Sequence, residues 1–509
     1  MDVQTFLLDL IRIRFGFMAC FHYIFVPLTL GLITAISCME VAFLRTRDTV
    51  WAHSARFWFR LFVLGWIVGV VTGYPLRVQL AADWSNYGAY VKPVLDQITP
   101  LETAIAPAML AGVIVLGTLG QRLHPVARAA AAWILAALMM CQSAAILSVN
   151  AWMQHPVGVG GPGGSVPVPS LWDLLLNPMA IAKVTHVVTA AWVCGCTVLC
   201  AVGAIYLFRG QHLPVARASM KTGLLLGVLA APLVVVTGHM SVMEVARDQP
   251  MKFAALEGLW QRESGPAGWI AFAVPQPGLQ TNRMEVKIPY LMSVLTGYGL
   301  SGSPPGIRDV LAAEELRMRQ AVRAQRLPAE DTQAAYRALY AQEQARTGSP
   351  VSESELVRRA SARMVPNVRL LFGGFRLMAS VGLLMLVLFV LGFLWRNKLR
   401  AGQYSKVLLL VPTLLPLPWI ATFAGWIVAE AGRQPWVIYG YLSTAAGAKL
   451  PTLAQGFIGT VLVISIYLVL TVIFVLLSLW WIRLGPASSD MPDDARSGTG
   501  ELAMPVTST

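Results

Sequence analysis

Apolar residues run along this chain in blocks too long for the alternation of a half-buried strand or the three-to-four spacing of a surface helix. Nine blocks stand out: Phe15–Leu44, Phe57–Leu80, Val94–Gly120, Val126–Met153, Met179–Phe208, Thr222–Met243, Arg369–Trp395, Val407–Ala429 and Leu453–Trp481. A helix needs about 20 mostly apolar residues to cross a bilayer, and every block is long enough. Water is absent there, so the main chain must satisfy its own polar groups, which at these lengths only helices do. The expected fold is all-α, a polytopic membrane helix bundle with about nine transmembrane helices and one large extracytoplasmic loop domain.

That loop domain is the polar stretch between Ser241 and Asn367, rich in Arg, Glu, Gln and Ala and far too long for a connector. Within it, Asp309–Arg346 spaces its Ala and Leu residues at helical intervals, which predicts helices lying against the membrane face. Past the last block, Pro486–Thr509 is a run of Ser, Asp, Gly and Thr that reads as disordered. The expected organisation is six spans in 1–243, the loop in 244–367, three spans in 368–484 and a cytoplasmic tail in 485–509.

Composition agrees: 56% of residues are hydrophobic and 13% charged, a balance rare in water-soluble folds. A net charge of +13 would suggest nucleic acid in a soluble protein. Here the basic residues cluster in alternate short loops, at Arg45, Arg47 and Arg56, at Arg122 and Arg128, at Arg209, Arg217 and Lys221, and from Arg396 to Lys406. The pattern is a topology signal. It predicts cytoplasmic loops at those places, an outside N-terminus, a cytoplasmic C-terminus and no nucleic-acid partner. The segment Met1–Phe15 lacks the basic start and small-residue cleavage site of a secretory signal, so the first helix is expected to be retained. All six cysteines fall inside apolar stretches and read as small packing residues, and no C-x-x-C-H motif for covalent haem occurs.

Ionisable groups at bilayer depth cost about 2.5–3.5 kcal/mol each on insertion scales, so each needs a partner or a function. His22 in the first span and His186 in the fifth are either neutral interhelical hydrogen-bonders or haem ligands. Met378 lies at the start of the seventh span with Arg376 two residues before it. A methionine there is ordinary packing or an axial ligand, and the arginine suits a haem propionate. The third span carries Glu102. The eighth ends at Glu430 and Arg433, either a helix-capping ion pair or a carboxylate at a haem with Arg433 on a propionate, and Pro435 should stop the helix.

Glu430 followed by Gly432-Arg433-Gln434-Pro435-Trp436, His22 ahead of Phe25-Val26-Pro27-Leu28-Thr29-Leu30-Gly31, Asn150 to Gln154, the His186 segment, Phe375 to Met378, and Lys252 with Glu257 occur together in one order. In these motifs the chain resembles subunit I of cytochrome bd-type ubiquinol oxidases from its first span to its ninth. The resemblance implies two haems b, one low-spin and one high-spin, and one haem d where oxygen is reduced. It implies His186 and Met378 as axial ligands of the low-spin haem b. His22 and Glu430 would serve the two high-spin sites, His22 at haem d and Glu430 at haem b or the reverse, and Glu102 would stand near the oxygen-reducing haem. The loop corresponds to the longer form of the family's Q loop, in which Lys252 and Glu257 contact ubiquinol or menaquinol. A second membrane subunit, small single-span subunits, a bacterial inner-membrane location and a proton gradient built without a dedicated pump are further implications.

The chain departs from the family pattern in two places. Leu110 stands where members often carry a second glutamate two turns after the first, and Pro107 is expected to interrupt that helix. Proton delivery would then fall to Gln142, Ser143 and water. His239 replaces an acid near the end of the sixth span. The competing readings are a divergent haem b quinol-binding electron carrier without efficient oxygen reduction, and a proton-coupled transporter, although no internal repeat suggests inverted halves.

Overall fold

The computed structural model describes residues 3–161, 165–296, 302–324, 331–347, 351–400 and 405–486. The tail expected to be disordered lies, from residue 487 on, outside the described residues. Among those described, nine helical segments are long and apolar enough to cross a membrane, one for each apolar block. The first combines α1 (Val3–His22) and α2 (Phe25–Thr46); α3 (Thr49–Asp83), α4 (Ser85–Ile114) with a π turn to Leu119, and α5 (Pro125–Gln154) follow. A small hairpin of β1 (Val159–Gly161) and β2 (Ser165–Val168) and the short α6 (Leu171–Leu175) lead to α7 (Pro178–Arg209) and α8 (Leu213–Asp248).

The loop region holds α9 (Pro250–Glu257), β3 (Trp269–Gln276), β4 (Thr281–Ile288), α10 (Leu291–Leu295), α11 (Ile307–Arg323), α12 (Asp331–Thr347) and α13 (Glu353–Ala362). The chain re-enters the bundle through α14 (Val368–Leu394). It continues by α15 (Arg396–Arg400), α16 (Ser405–Leu410) and a 3-10 turn into α17 (Leu417–Ala431). A hairpin of β5 (Trp436–Ile438) and β6 (Leu442–Ser443), then α18 (Thr444–Gly447), precede α19 (Leu453–Leu484).

The helices outlast their apolar blocks because polar residues at both ends find partners. Arg14 in α1 pairs with Asp83 at the end of α3, and Gln79 donates to the same carboxylate at 2.8 Å. Near the other end of the bundle, Arg128 meets Glu40 at 2.7 Å and lies over the Phe43 ring. Pairing of this kind is what lets buried charges persist in an apolar bundle.

The break between α1 and α2 has a local cause. Pro27 has no N–H to bond the carbonyl of Tyr23, and its ring crowds that carbonyl, so the helix loosens over Tyr23 and Ile24. The indole of Trp419 donates to the Ile24 carbonyl at 3.1 Å, and His22 sits at the bend. Pro107, by contrast, does not interrupt α4, correcting the expectation from sequence. Pro93, Pro100 and Pro107 recur every seven residues and are all exposed, so their distortions fall on one outward face while the inner face stays helical.

The largest core cluster joins α2, α3, α5, α7 and α8 around Ile33, Trp58, Phe62 and Leu199, with the Trp58 indole donating to Ser219 at 2.8 Å. A Cβ on Gly195 would come within 2.6 Å of the Gly31 main chain, so α2 and α7 cross backbone to backbone, as small residues permit in membranes.

The all-α expectation holds for the bundle, and the described residues add three two-stranded antiparallel hairpins. The longest, β3–β4, packs onto the start of α14, where Arg369 donates to the Pro275 carbonyl at 3.0 Å and Arg376 to that of Ile270 at 2.8 Å. The stretch expected to be helical, Asp309–Arg346, falls within α11 and α12, with 325–330 outside the described residues.

Candidate functional site

Where the loop region meets the bundle, α5, α7, α9 and α17 bring a polar cluster together. Glu430, one residue before the end of α17, accepts from Asn150 Nδ2 at 3.1 Å and pairs with Arg433. Lys183 bonds the Asn150 Oδ1 and stands 5.3 Å from the centre of the Trp426 ring. Lys252 Nζ donates to Gln154 Oε1 and to the Ala429 carbonyl, both at 2.9 Å. α17 stops at Ala431, four residues before Pro435.

Three cationic side chains, Lys183, Lys252 and Arg433, thus surround one carboxylate, and Lys252 and Arg433 are themselves buried. Burial, then repulsion from Lys183, brings the Lys252 ammonium down to about 7; Glu430 opposes the shift and Arg433 adds to it. Arg433 is buried, yet its Nε and Nη1 have no hydrogen-bond partner among the described residues. Such an excess of positive charge suits an anionic ligand. A cavity beside Lys252 and Arg433 is lined from the loop by Glu314, which accepts from Tyr336 and from Arg317.

At the other end of α9, Glu257 is buried against Arg376, with the guanidinium at 2.7 Å. Burial raises the Glu257 carboxyl above its ordinary range, and Arg376 and Trp269 oppose that shift. Arg376 lies over the rings of Trp269, Phe372 and Phe375, and its buried Nη1 lacks a hydrogen-bond partner among the described residues. Lys252 and Glu257 therefore share a helix but have separate partners, one in the Glu430 cluster and one on α14.

The remaining candidate ligands share one feature, a glycine across from each. A Cβ on Gly73 of α3 would lie 3.0 Å from His22 Cε1, one on Gly238 of α8 would lie 3.1 Å from His186 Cε1, and one on Gly425 of α17 would lie 2.9 Å from Met378 Sδ. Any larger residue would press on the ligand. Among the described residues, no three His, Cys, Asp or Glu side chains are grouped to hold a bare metal ion. Single axial ligands need no such group when a macrocycle supplies the other four bonds. The glycine-backed imidazoles and thioether, with buried arginines whose donors are unused, fit haems carrying propionates.

Glu102 of α4 pairs with Arg77 of α3, and Gln142 donates to it at 3.4 Å, while Gln142 Oε1 is buried without a partner among the described residues. Leu110 and His239 are exposed and bring no acid to this region. Lys183, Asp83 and Arg14 have no part in the sequence reading, although Lys183 stands inside an apolar block, where a charged residue is itself a signal; Arg14 and Asp83 fall just outside their blocks.

Comparison with known proteins gives one consistent result. The model for the cytochrome bd terminal oxidase subunit I family matches residues 10–486. The chain is 31% identical to cytochrome bd-II ubiquinol oxidase subunit 1 of Escherichia coli (strain K12), covering 94% of this chain and 97% of that protein. It is 29% identical to cytochrome bd ubiquinol oxidase subunit 1 of Bacillus subtilis (strain 168), covering 98% of each. The fold resembles that in the solved structure of bd oxidase from Geobacillus thermodenitrificans, with a TM-score of 0.76 at 22% identity over 94% of this chain and 99% of that one.

Proposed function

The chain belongs to the cytochrome bd terminal oxidase subunit I family, and we propose on that premise that it is the haem-carrying subunit of a membrane quinol oxidase that passes electrons to oxygen. The observation that carries the reading is the set of glycine-backed His22, His186 and Met378 together with a carboxylate, Glu430, among three cations. His186 and Met378 are assigned to a low-spin haem b, Glu430 to a high-spin haem b and His22 to haem d. Bound there, the haems supply one-electron transfer and the site of oxygen reduction.

The residues of the chain do the rest. Arg433 and Arg376, with donors to spare, bind propionates and hold the haems in register. Lys252 donates to a quinol oxygen. Glu257, whose raised carboxyl suits proton exchange, accepts a quinol proton on the loop side. Each quinol gives up two electrons and two protons, and each oxygen takes four of each to become two waters. Release of quinol protons outside and uptake of the others through Glu102 and Gln142 from inside charges the membrane without a pump. That sidedness accords with basic loops on the cytoplasmic side and the loop region of 249–367 outside. A second membrane subunit completes the enzyme; small single-span subunits and a choice of ubiquinol or menaquinol follow the same reading.

The test is a reduced-minus-oxidised spectrum and quinol-dependent oxygen uptake by the purified complex. A haem d band with uptake is expected. Haem b bands alone, without uptake, would replace this reading with the electron carrier.

A further inference from the structure

The tetrapeptide Val-Val-Thr-Gly occurs twice in the chain, at Val70–Gly73 in α3 and at Val235–Gly238 in α8. Both copies do the same thing. Their valine pairs are exposed on the outside of the bundle, and their threonines are buried. Each threonine faces the ring of a histidine on a neighbouring helix, with His22 Nδ1 3.2 Å from Thr72 Oγ1 and His186 Nδ1 3.3 Å from Thr237 Oγ1. The glycine that follows makes room for the same ring, opposite Cε1 in both cases.

The direction of these hydrogen bonds is set by the helices. Thr72 donates its own hydroxyl proton to the Val68 carbonyl, and Thr237 donates to that of Leu233, each at 2.8 Å. With that proton engaged, the hydroxyl has only lone pairs to offer the imidazole. Nδ1 must therefore carry the proton in both neutral imidazoles, which leaves the Nε2 lone pair as the only one able to bind a metal.

We propose that Thr72-Gly73 and Thr237-Gly238 are matched positioning elements that fix the tautomer and ring plane of His22 and His186, and so set the redox poise of the two irons those histidines hold. The inference rests on the ligand assignments above. A hydrogen bond at Nδ1 makes the imidazole a stronger donor and favours ferric iron, as outer-shell partners of metal-bound histidines generally do. At His186 the contact is buttressed by Thr189, whose hydroxyl lies 3.1 Å from that of Thr237.

Redox titration of the intact complex, followed in the visible spectrum, tests this with Thr237→Val, Thr237→Ser, Thr72→Val and Thr72→Ser. Thr237→Val should raise the midpoint potential of the low-spin haem alone, and Thr72→Val that of the haem held by His22 alone. Each serine variant should stay at the wild-type value. Wild-type potentials in both valine variants, or serine variants that shift as far as the valine ones, would overturn the proposal. Failure of the ligand assignment would look different, because His186→Ala would then keep the low-spin spectrum whatever the threonine variants do. Should a valine variant fail to assemble, the alanine variant at the same position, which also lacks the hydroxyl, is titrated in its place, and a wild-type potential there would overturn the proposal.

Discussion

Lys252 should make quinol binding depend on pH near neutrality. An ordinary lysine ammonium titrates near 10.4, but here burial and the neighbouring Lys183 bring it down to about 7. If the cation holds the quinol oxygen, the group that binds is the protonated one, so affinity is full below that value and lost as pH rises through it. Roughly nine in ten Lys252 side chains are charged at pH 6 and about one in ten at pH 8, so KM for quinol should rise about tenfold across that interval. Replacing Lys252 by methionine removes a charged hydrogen bond in a buried setting, worth about 1.5–3 kcal/mol, or roughly ten- to a hundredfold in KM, and flattens the profile. Lys183→Gln removes the like charge that depresses Lys252, so the inflection should move to higher pH. Steady-state oxygen uptake against quinol concentration at several pH values reads all three. A wild-type KM that is level from pH 6 to 8, or an inflection unmoved by Lys183→Gln, would refute the reasoning.

Three further outcomes are expected. Arg376→Ala leaves the Glu257 carboxyl buried without its partner and removes one anchor of the β3–β4 hairpin; breaking such a pair costs about 3–5 kcal/mol, and hydrogen exchange should rise in residues 269–288 before it does in the spans. Gly425→Ala puts a Cβ 2.9 Å from Met378 Sδ. The thioether end is free to swing, so the low-spin haem spectrum should weaken while the thermal midpoint stays near wild type. Arg128→Gln should destabilise the bundle by about 3–5 kcal/mol by stranding Glu40, and adding Glu40→Gln should recover most of that loss in thermal unfolding.

The spans were legible because a long apolar block carries its own instruction, satisfying its hydrogen bonds internally without reference to the rest of the chain. The bend at His22 could have been read from Pro27, and the helices of α11 and α12 from their spacing. The β3–β4 hairpin was not legible. Its strands carry no strong alternation, and they are held by Arg369 and Arg376, about a hundred positions away. Pro107 taken alone predicts a break, whereas its spacing from Pro93 and Pro100 puts all three on one exposed face of a continuous helix. The candidate ligands stood out as polar or sulfur-bearing groups in or at the ends of apolar blocks, and the motif resemblance chose the haem reading over the packing one. The repeated Val-Val-Thr-Gly lay in plain view, and its meaning depended on which helices pack together, α3 against the bend at His22 and α8 against α7.

The central claim, that His186 and Met378 hold one haem of a quinol oxidase, is tested most directly by reduced-minus-oxidised spectra of His186→Ala and Met378→Leu complexes. Each substitution should abolish the low-spin haem b signal and leave the high-spin signals in place. Retention of the low-spin signal in either variant would contradict the assignment.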